Sequence, residues 1–176
     1  MKEKIGEFFQ RKIVWVLLII LLLVCGCRFF VGEIIRVSGE SMVPTLENGN
    51  DIFIEKFTYR NEEPERNDIV VVKTTYEGKK REYVKRIIGL PGEKVHIKKG
   101  KVYINGKPLK ECKDFPKIED GGMARNTIEL GEDEYFLLGD NRNNSKDSRN
   151  VELGIVERQQ ILGKFWFRIY PFGMVE

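Results

Sequence analysis

Histidine is almost missing from this chain. Of its 176 residues only His96 is one, so any arrangement of serine, histidine and aspartate has a single imidazole to draw on. The surroundings of His96 suit a strand better than a catalytic base. In Lys94-Val95-His96-Ile97-Lys98 the apolar Val95 and Ile97 alternate with polar neighbours, which puts the imidazole on the polar side. Cysteine is scarce too: Cys25 and Cys27 fall in an apolar run and Cys112 stands alone. No metal-ligand spacing and no disulfide framework arise, so we expect neither a metal nor a cofactor. An excess of one charge is also missing, since 30 Lys and Arg face 27 Asp and Glu for a formal net charge of +3. So slight and interspersed a balance excludes nucleic-acid binding by charge alone. No internal repeat stands out, and the only low-complexity hint is the charged loop Asn61-Glu62-Glu63-Pro64-Glu65-Arg66.

What the chain does have is one long apolar run. Ile13 to Cys27 is about 15 residues without a charge, preceded by Lys2, Lys4, Arg11 and Lys12 and followed by Arg28. That is short for a hydrocarbon core of about 30 Å, but Phe8, Phe9, Phe29, Phe30 and Val31 lengthen it where the flanking basic side chains snorkel. The basic leader favours an amino terminus inside. The expected order is therefore a cytoplasmic leader over 1–12, a single transmembrane helix over 13–31 and an extracytoplasmic domain over 32–176. Two other readings keep the domain outside: a cleaved signal peptide, and a lipoprotein site at Val24-Cys25-Gly26-Cys27 with Cys27 acylated. The lack of a small-X-small site before Arg28 counts against the first, and Cys25 ahead of Gly26 against the second. Basic clusters at Lys79-Lys80-Arg81, Lys98-Lys99 and Lys101 offer contacts for membrane lipid.

Beyond the anchor the period changes to that of strands. Ile52-Phe53-Ile54, Ile69 to Val72, Tyr83 to Ile88, Val95 to Ile97 and Val102 to Ile104 are short, rich in β-branched and aromatic residues, and separated by polar turns. The domain reads as mainly β, with short antiparallel strands. Asn105-Gly106 is a strong hairpin signal, because both central residues of a type I′ turn need positive φ. Residues 94–134 read as a small, variable β insertion with a Gly121-Gly122 turn and no chemistry of its own. The closing Ile161 to Tyr170 reads as a core strand, with Trp166 and its flanking phenylalanines mostly buried or else dipping into the lipid interface.

A nucleophile is offered by Ser38-Gly39-Glu40-Ser41-Met42-Val43-Pro44-Thr45-Leu46. A serine hydroxyl is weak at neutral pH and needs a base, either His96 or a lysine whose pKa burial has lowered. Lys85 sits among Tyr83, Val84, Ile87 and Ile88, so its stem enters apolar surroundings. On alternation it shares a sheet face with Tyr83 and Ile87, while Arg86 points the other way. Burial disfavours the ammonium, leaving a free amine able to take a proton.

Three stretches in order resemble the boxes of the type I signal peptidases: the Ser41 segment, Tyr83-Val84-Lys85-Arg86-Ile87-Ile88-Gly89-Leu90-Pro91-Gly92, and Gly139-Asp140-Asn141-Arg142-Asn143-Asn144-Ser145-Lys146-Asp147-Ser148-Arg149. The resemblance runs from the apolar segment to Tyr170-Pro171-Phe172. It implies the signal-peptidase β fold on a transmembrane anchor in a bacterial cell membrane, and a Ser-Lys dyad that cuts signal peptides from exported preproteins after small residues. By it Ser41 is the nucleophile and Lys85 the general base. Ser145 bonds the lysine amine, and Asp140, Asp147, Arg149 and Arg86 fix the loop around it. Val37, Met42, Leu46, Tyr83 and Val84 are the implied pocket walls. The Ser41 N–H is one oxyanion donor. Some relatives carry a serine hydroxyl two residues earlier, where this chain has Gly39, so the second donor stays open between a backbone N–H near Gly39 and the Ser38 hydroxyl. Asn143 stands where many relatives have aspartate. A pilin-type processing peptidase with the same residues and a non-catalytic module holding exported peptides are the alternatives.

Overall fold

A computed structural model describes residues 12–22, 26 and 32–173. Residues 12–22 are helical, and among the described residues no helix is long and apolar enough to cross a membrane. Much of the expected anchor over 13–31, Cys25 and Cys27 included, lies outside the described residues, as does the leader up to residue 11.

From Gly32 onward the chain is mainly β. The strands are β1 (Gly32–Arg36), β2 (Asp51–Glu55), β3 (Ile69–Tyr76), β4 (Lys79–Gly89), β5 (Lys94–Lys98), β6 (Lys101–Ile104), β7 (Lys107–Pro108), β8 (Ile128–Glu129), β9 (Glu134–Leu138), β10 (Val156–Glu157) and β11 (Ile161–Tyr170). They form a seven-stranded sheet ordered β1-β2-β11-β3-β4-β9-β10 and a four-stranded sheet ordered β7-β6-β5-β8. The strand pairs in both sheets are antiparallel.

Two-residue turns with positive φ set the hairpin registers. Asn105 and Gly106 at φ 50° and 79° join β6 to β7 as the sequence predicts. Glu77-Gly78 and Lys99-Gly100 do the same for β3–β4 and β5–β6. In each the second residue is a glycine, which takes positive φ without a Cβ penalty.

Three apolar clusters hold the fold together. Val70, Val72, Ile87, Tyr135, Leu137 and Val156 pack on one face of the large sheet. Val37, Met42, Leu46, Ile52, Ile54 and Val71 form a second cluster that carries the loop after β1. The third joins the sheets: Ile88, Phe136 and Leu138 pack against Val95, Ile97, Val102 and Leu130.

Strand β11 corrects the burial expected of its aromatics. It does lie inside the large sheet between β2 and β3, yet Trp166 is 53% exposed and Phe167 only half-buried. The Phe167 ring stacks on Phe53 at 5.4 Å, and Trp166 meets Phe167 edge-on at 5.4 Å and Phe53 at 6.0 Å. Among the described residues this aromatic group is therefore partly open, although the strand that carries it is central in its sheet.

Candidate active site

The loop between β1 and β2 carries Ser41. Its base is closed by the Val37 N–H donating to the Asn50 carbonyl and the Gly49 N–H to that of Val37. Within it the Val43 N–H donates to the Glu40 carbonyl and the Leu46 N–H to that of Met42, so residues 40–46 curl into successive turns. Met42 and Leu46 are fully buried and anchor the loop, while Ser41, just ahead of Met42, is only partly buried. Leu46 lies in the core and is not among the residues that line the cleft, whereas the equally buried Met42 is.

Lys85 reaches this serine from β4. Its Nζ donates to Ser41 Oγ at 2.8 Å and to the Val84 carbonyl at 2.9 Å. The register pairs Lys85 with Val70 and Tyr83 with Val72, so both side chains leave β4 on one face. Only 2% of Lys85 is exposed. Burial pulls its pKa down to about 8, although the carboxylates of Asp147 and Asp140 work in the opposite direction. Near neutrality a useful fraction of this amine is uncharged, and its lone pair can take the Ser41 hydroxyl proton along the same short contact. His96 is remote from this chemistry: it belongs to β5, and its ring lies against Tyr103.

Residues 139–149 wrap around the pair. Arg86 makes a two-pronged ion pair with Asp140, from Nε at 2.8 Å and Nη2 at 2.7 Å. Arg149 does the same with Asp147 through two bonds of 2.8 Å, and the second Asp147 oxygen also accepts the Gly139 N–H. All four side chains are nearly solvent-free. Buried charges of this kind hold geometry, because removal of one leaves its partner stranded. Gly139 is required by space: a Cβ there falls 2.5 Å from the Ser41 carbonyl oxygen and closer still to Ser145 Oγ.

Ser145 does not bond the amine in this structure. Its buried hydroxyl has no partner among the described residues, although it lines the same cleft as Ser41 and Lys85. The amine is instead satisfied by Ser41 and the Val84 carbonyl. Asn143 is well partnered, since its amide donates to the Lys117 carbonyl and accepts the Glu119 N–H, both at 3.0 Å. Its Nδ2 also lies 3.4 Å from the Glu119 carboxylate, which an uncharged amide can donate to and an aspartate would repel.

The cleft measures about 540 Å³. Val37, Met42, Tyr83 and Val84 line it as expected, and Val71 of β3 adds a wall that sequence reading missed. The Gly39 N–H is already donated to Asn48 Oδ1 at 3.0 Å, which removes it as a spare oxyanion donor. Ser38, exposed on the cleft rim, remains.

Sequence reading also missed how the third box clamps the nucleophile segment. The Asn141 N–H donates to the Ser41 carbonyl at 3.0 Å, Asn141 Nδ2 to the Glu40 carbonyl at 3.1 Å, and Asn144 Nδ2 to the Glu40 carboxylate at 3.3 Å. Both asparagines stand inside a recognisable box, so their position was a signal. Glu111, which pairs with the buried Arg142 at 2.5 Å, has no such local pattern.

The family model described as signal peptidase, peptidase S26, matches residues 10–170. The chain belongs to the signal peptidase family. The probable signal peptidase I-2 of Synechocystis is 40% identical over 160 residues, covering 88% of this chain and 70% of that protein. Signal peptidase I P of Bacillus subtilis subsp. natto is 41% identical over 166 residues, covering 90% and 88%. A crystal structure of a signal peptidase I from Enterococcus faecalis V583 shares 30% identity at a TM-score of 0.44, over 58% of this chain and 97% of that one. As a member of the signal peptidase family the protein is a serine endopeptidase, and the family match spans all three boxes that enclose the cleft.

Proposed function

We propose that this chain is a membrane-anchored, single-pass peptidase that removes signal peptides from exported preproteins after small residues of the Ala-X-Ala type. The leader lies in the cytoplasm and the β domain faces outward. The observation that carries the reading is the 2.8 Å contact between Ser41 Oγ and the amine of a lysine only 2% exposed. Ser41 Oγ attacks the carbonyl carbon of the scissile bond while Lys85 accepts its proton. The resulting oxyanion is met by the Ser41 N–H, with Ser38 as the available second donor; each such donor is worth about 3 kcal/mol. Collapse of this intermediate breaks the C–N bond, and protonated Lys85 hands its proton to the departing amine. A water molecule, deprotonated by the regenerated amine, then releases the acyl group from Ser41. The narrow walls of Val37, Met42, Tyr83 and Val84 favour small side chains beside the scissile bond. Basic residues and the open aromatic face of β11 support contact with lipid.

The test is incubation of the purified protein with a preprotein carrying an Ala-X-Ala site. Cleavage at that site by wild type and none by Ser41→Ala is expected. The rate should climb with pH through about 8 as Lys85 loses its proton. Equal cleavage by Ser41→Ala removes the reading, and cleavage only at sites of another pattern removes its substrate assignment.

A further inference from the structure

One carboxylate outside the three boxes binds side chains from both sides of the cleft. Glu152 follows the third box, and its side chain is 14% exposed. Its Oε1 accepts the Tyr83 hydroxyl at 2.8 Å and also the Arg81 guanidinium, while Oε2 holds the Lys146 ammonium at 2.8 Å. Arg81 and Tyr83 belong to β4 and Lys146 to the third box. Tyr83 and Lys146 both line the Ser41 cleft, whereas Glu152 itself does not. These donors keep the Glu152 carboxyl below its usual carboxylate range, so it is ionised wherever the peptidase works.

We propose that Glu152 is a positioning residue for substrate selection: by tying Tyr83 to Lys146 it sets the width of the cleft beside Ser41. The inference rests on the function proposed above. Among the described residues Tyr83 is the only aromatic wall of the cleft, and its ring centroid lies 5.4 Å from Lys85 Nζ. A tyrosine ring turns about two side-chain bonds, and the bond at its hydroxyl end is what selects one orientation. Without the carboxylate, that hydroxyl seeks water, and Arg81 and Lys146 repel each other across the space it occupied. Both changes widen the mouth. A cleft that excludes by size then accepts a larger side chain before the scissile bond, while the distance between Ser41 and Lys85 is unaffected.

Two preprotein peptides, identical except for Ala or Val immediately before the scissile bond, provide the measurement. For wild type, kcat/KM favours Ala. Glu152→Ala is expected to lower this Ala-to-Val ratio about tenfold, the range associated with one or two methylenes in a pocket. It should raise KM for the Ala peptide several-fold and change kcat by less than about twofold. Tyr83→Phe, which removes the same bond from its other end, should lower the ratio similarly, and the double variant no further. Glu152→Gln keeps an acceptor for the hydroxyl without pairing two cations, and it should fall between wild type and Glu152→Ala. An unchanged ratio in Glu152→Gln and Tyr83→Phe overturns the inference even if Glu152→Ala does not fold. Multiplying effects in the double variant, or a loss confined to kcat, also overturn it. A wild type that cleaves neither peptide overturns the proposed function instead.

Discussion

The two sheets bury different things. The seven-stranded sheet and the loops it carries enclose Lys85, Arg86, Asp140, Arg142, Asp147 and Arg149, each almost without solvent contact. In the four-stranded sheet and its connections the buried side chains are Val95, Ile97, Val102, Ile118, Ala124 and Leu130, all apolar. Both sheets share one apolar seam through Ile88, Phe136 and Leu138, so their packing is of one kind. What separates them is charge in the interior, which is costly to bury and persists where it serves something besides stability. The small sheet nevertheless assists the large one. Its 111–120 segment meets the third box through Glu111 on Arg142, Lys117 and Glu119 on Asn143, and the Asp120 carbonyl on Arg149. It therefore buttresses the site without contributing a reacting group.

The sharpest test of this contrast removes a buried charge. Arg86→Ala strands Asp140 and should cost about 3–5 kcal/mol in urea unfolding. A loss below about 1 kcal/mol would mean that the interior charges of the large sheet are no different from surface ones.

Lys85 gives an effect of opposite sign. Its amine titrates near 8 in the fold and at 10.5 in the unfolded chain, so between these values the unfolded state binds a proton that the folded state does not. Stability should rise with pH across that window, and below about pH 8 the folded state carries the whole burial penalty. Lys85→Met should thus abolish cleavage yet raise stability at pH 7 by up to about 3 kcal/mol, a gain that fades by pH 10.5. Unfolding curves of both proteins at pH 7 and pH 10 decide it.

Gly139→Ala forces a methyl group against the Ser41 carbonyl and Ser145. The expected destabilisation is about 1–3 kcal/mol, with a loss of activity larger than stability alone explains. Assays well below the melting temperature separate the two.

The smallest effect is expected in the small sheet. His96→Gln should leave cleavage and its pH profile unchanged, since the imidazole lies beside Tyr103 and away from Ser41. A lost alkaline rise in that variant would return the histidine to the mechanism.

Much of this was legible from residue order. The runs at 52–54, 69–72, 83–88, 95–97, 102–104 and 161–170 all fall inside strands, because β-branched and aromatic residues between polar turns suit a pleated, half-buried surface. Strand β9 was missed. Tyr135, Phe136, Leu137 and Leu138 are buried on both faces, so they show no alternation to read. Glu77-Gly78 and Lys99-Gly100 escaped notice as turns because neither pair carries the asparagine that marks Asn105-Gly106. For the aromatics of β11 residue order favours burial for most of them with the lipid interface as the alternative, and Trp166 is 53% exposed, since hydrophobicity alone does not separate the two.

The sequence by itself determined the chemistry available: a serine in a tight loop, a lysine in an apolar strand, a single histidine in the wrong setting, and a box of paired charges. These follow from residue type and spacing, which are local. Tertiary structure alone decided that Lys85 meets Ser41 across 44 positions, that Asn48 takes the Gly39 N–H, that the Ser145 hydroxyl has no partner among the described residues and that Glu152 ties Tyr83 to Lys146. Each depends on where distant segments come to rest and which donor arrives first, and no local pattern records that.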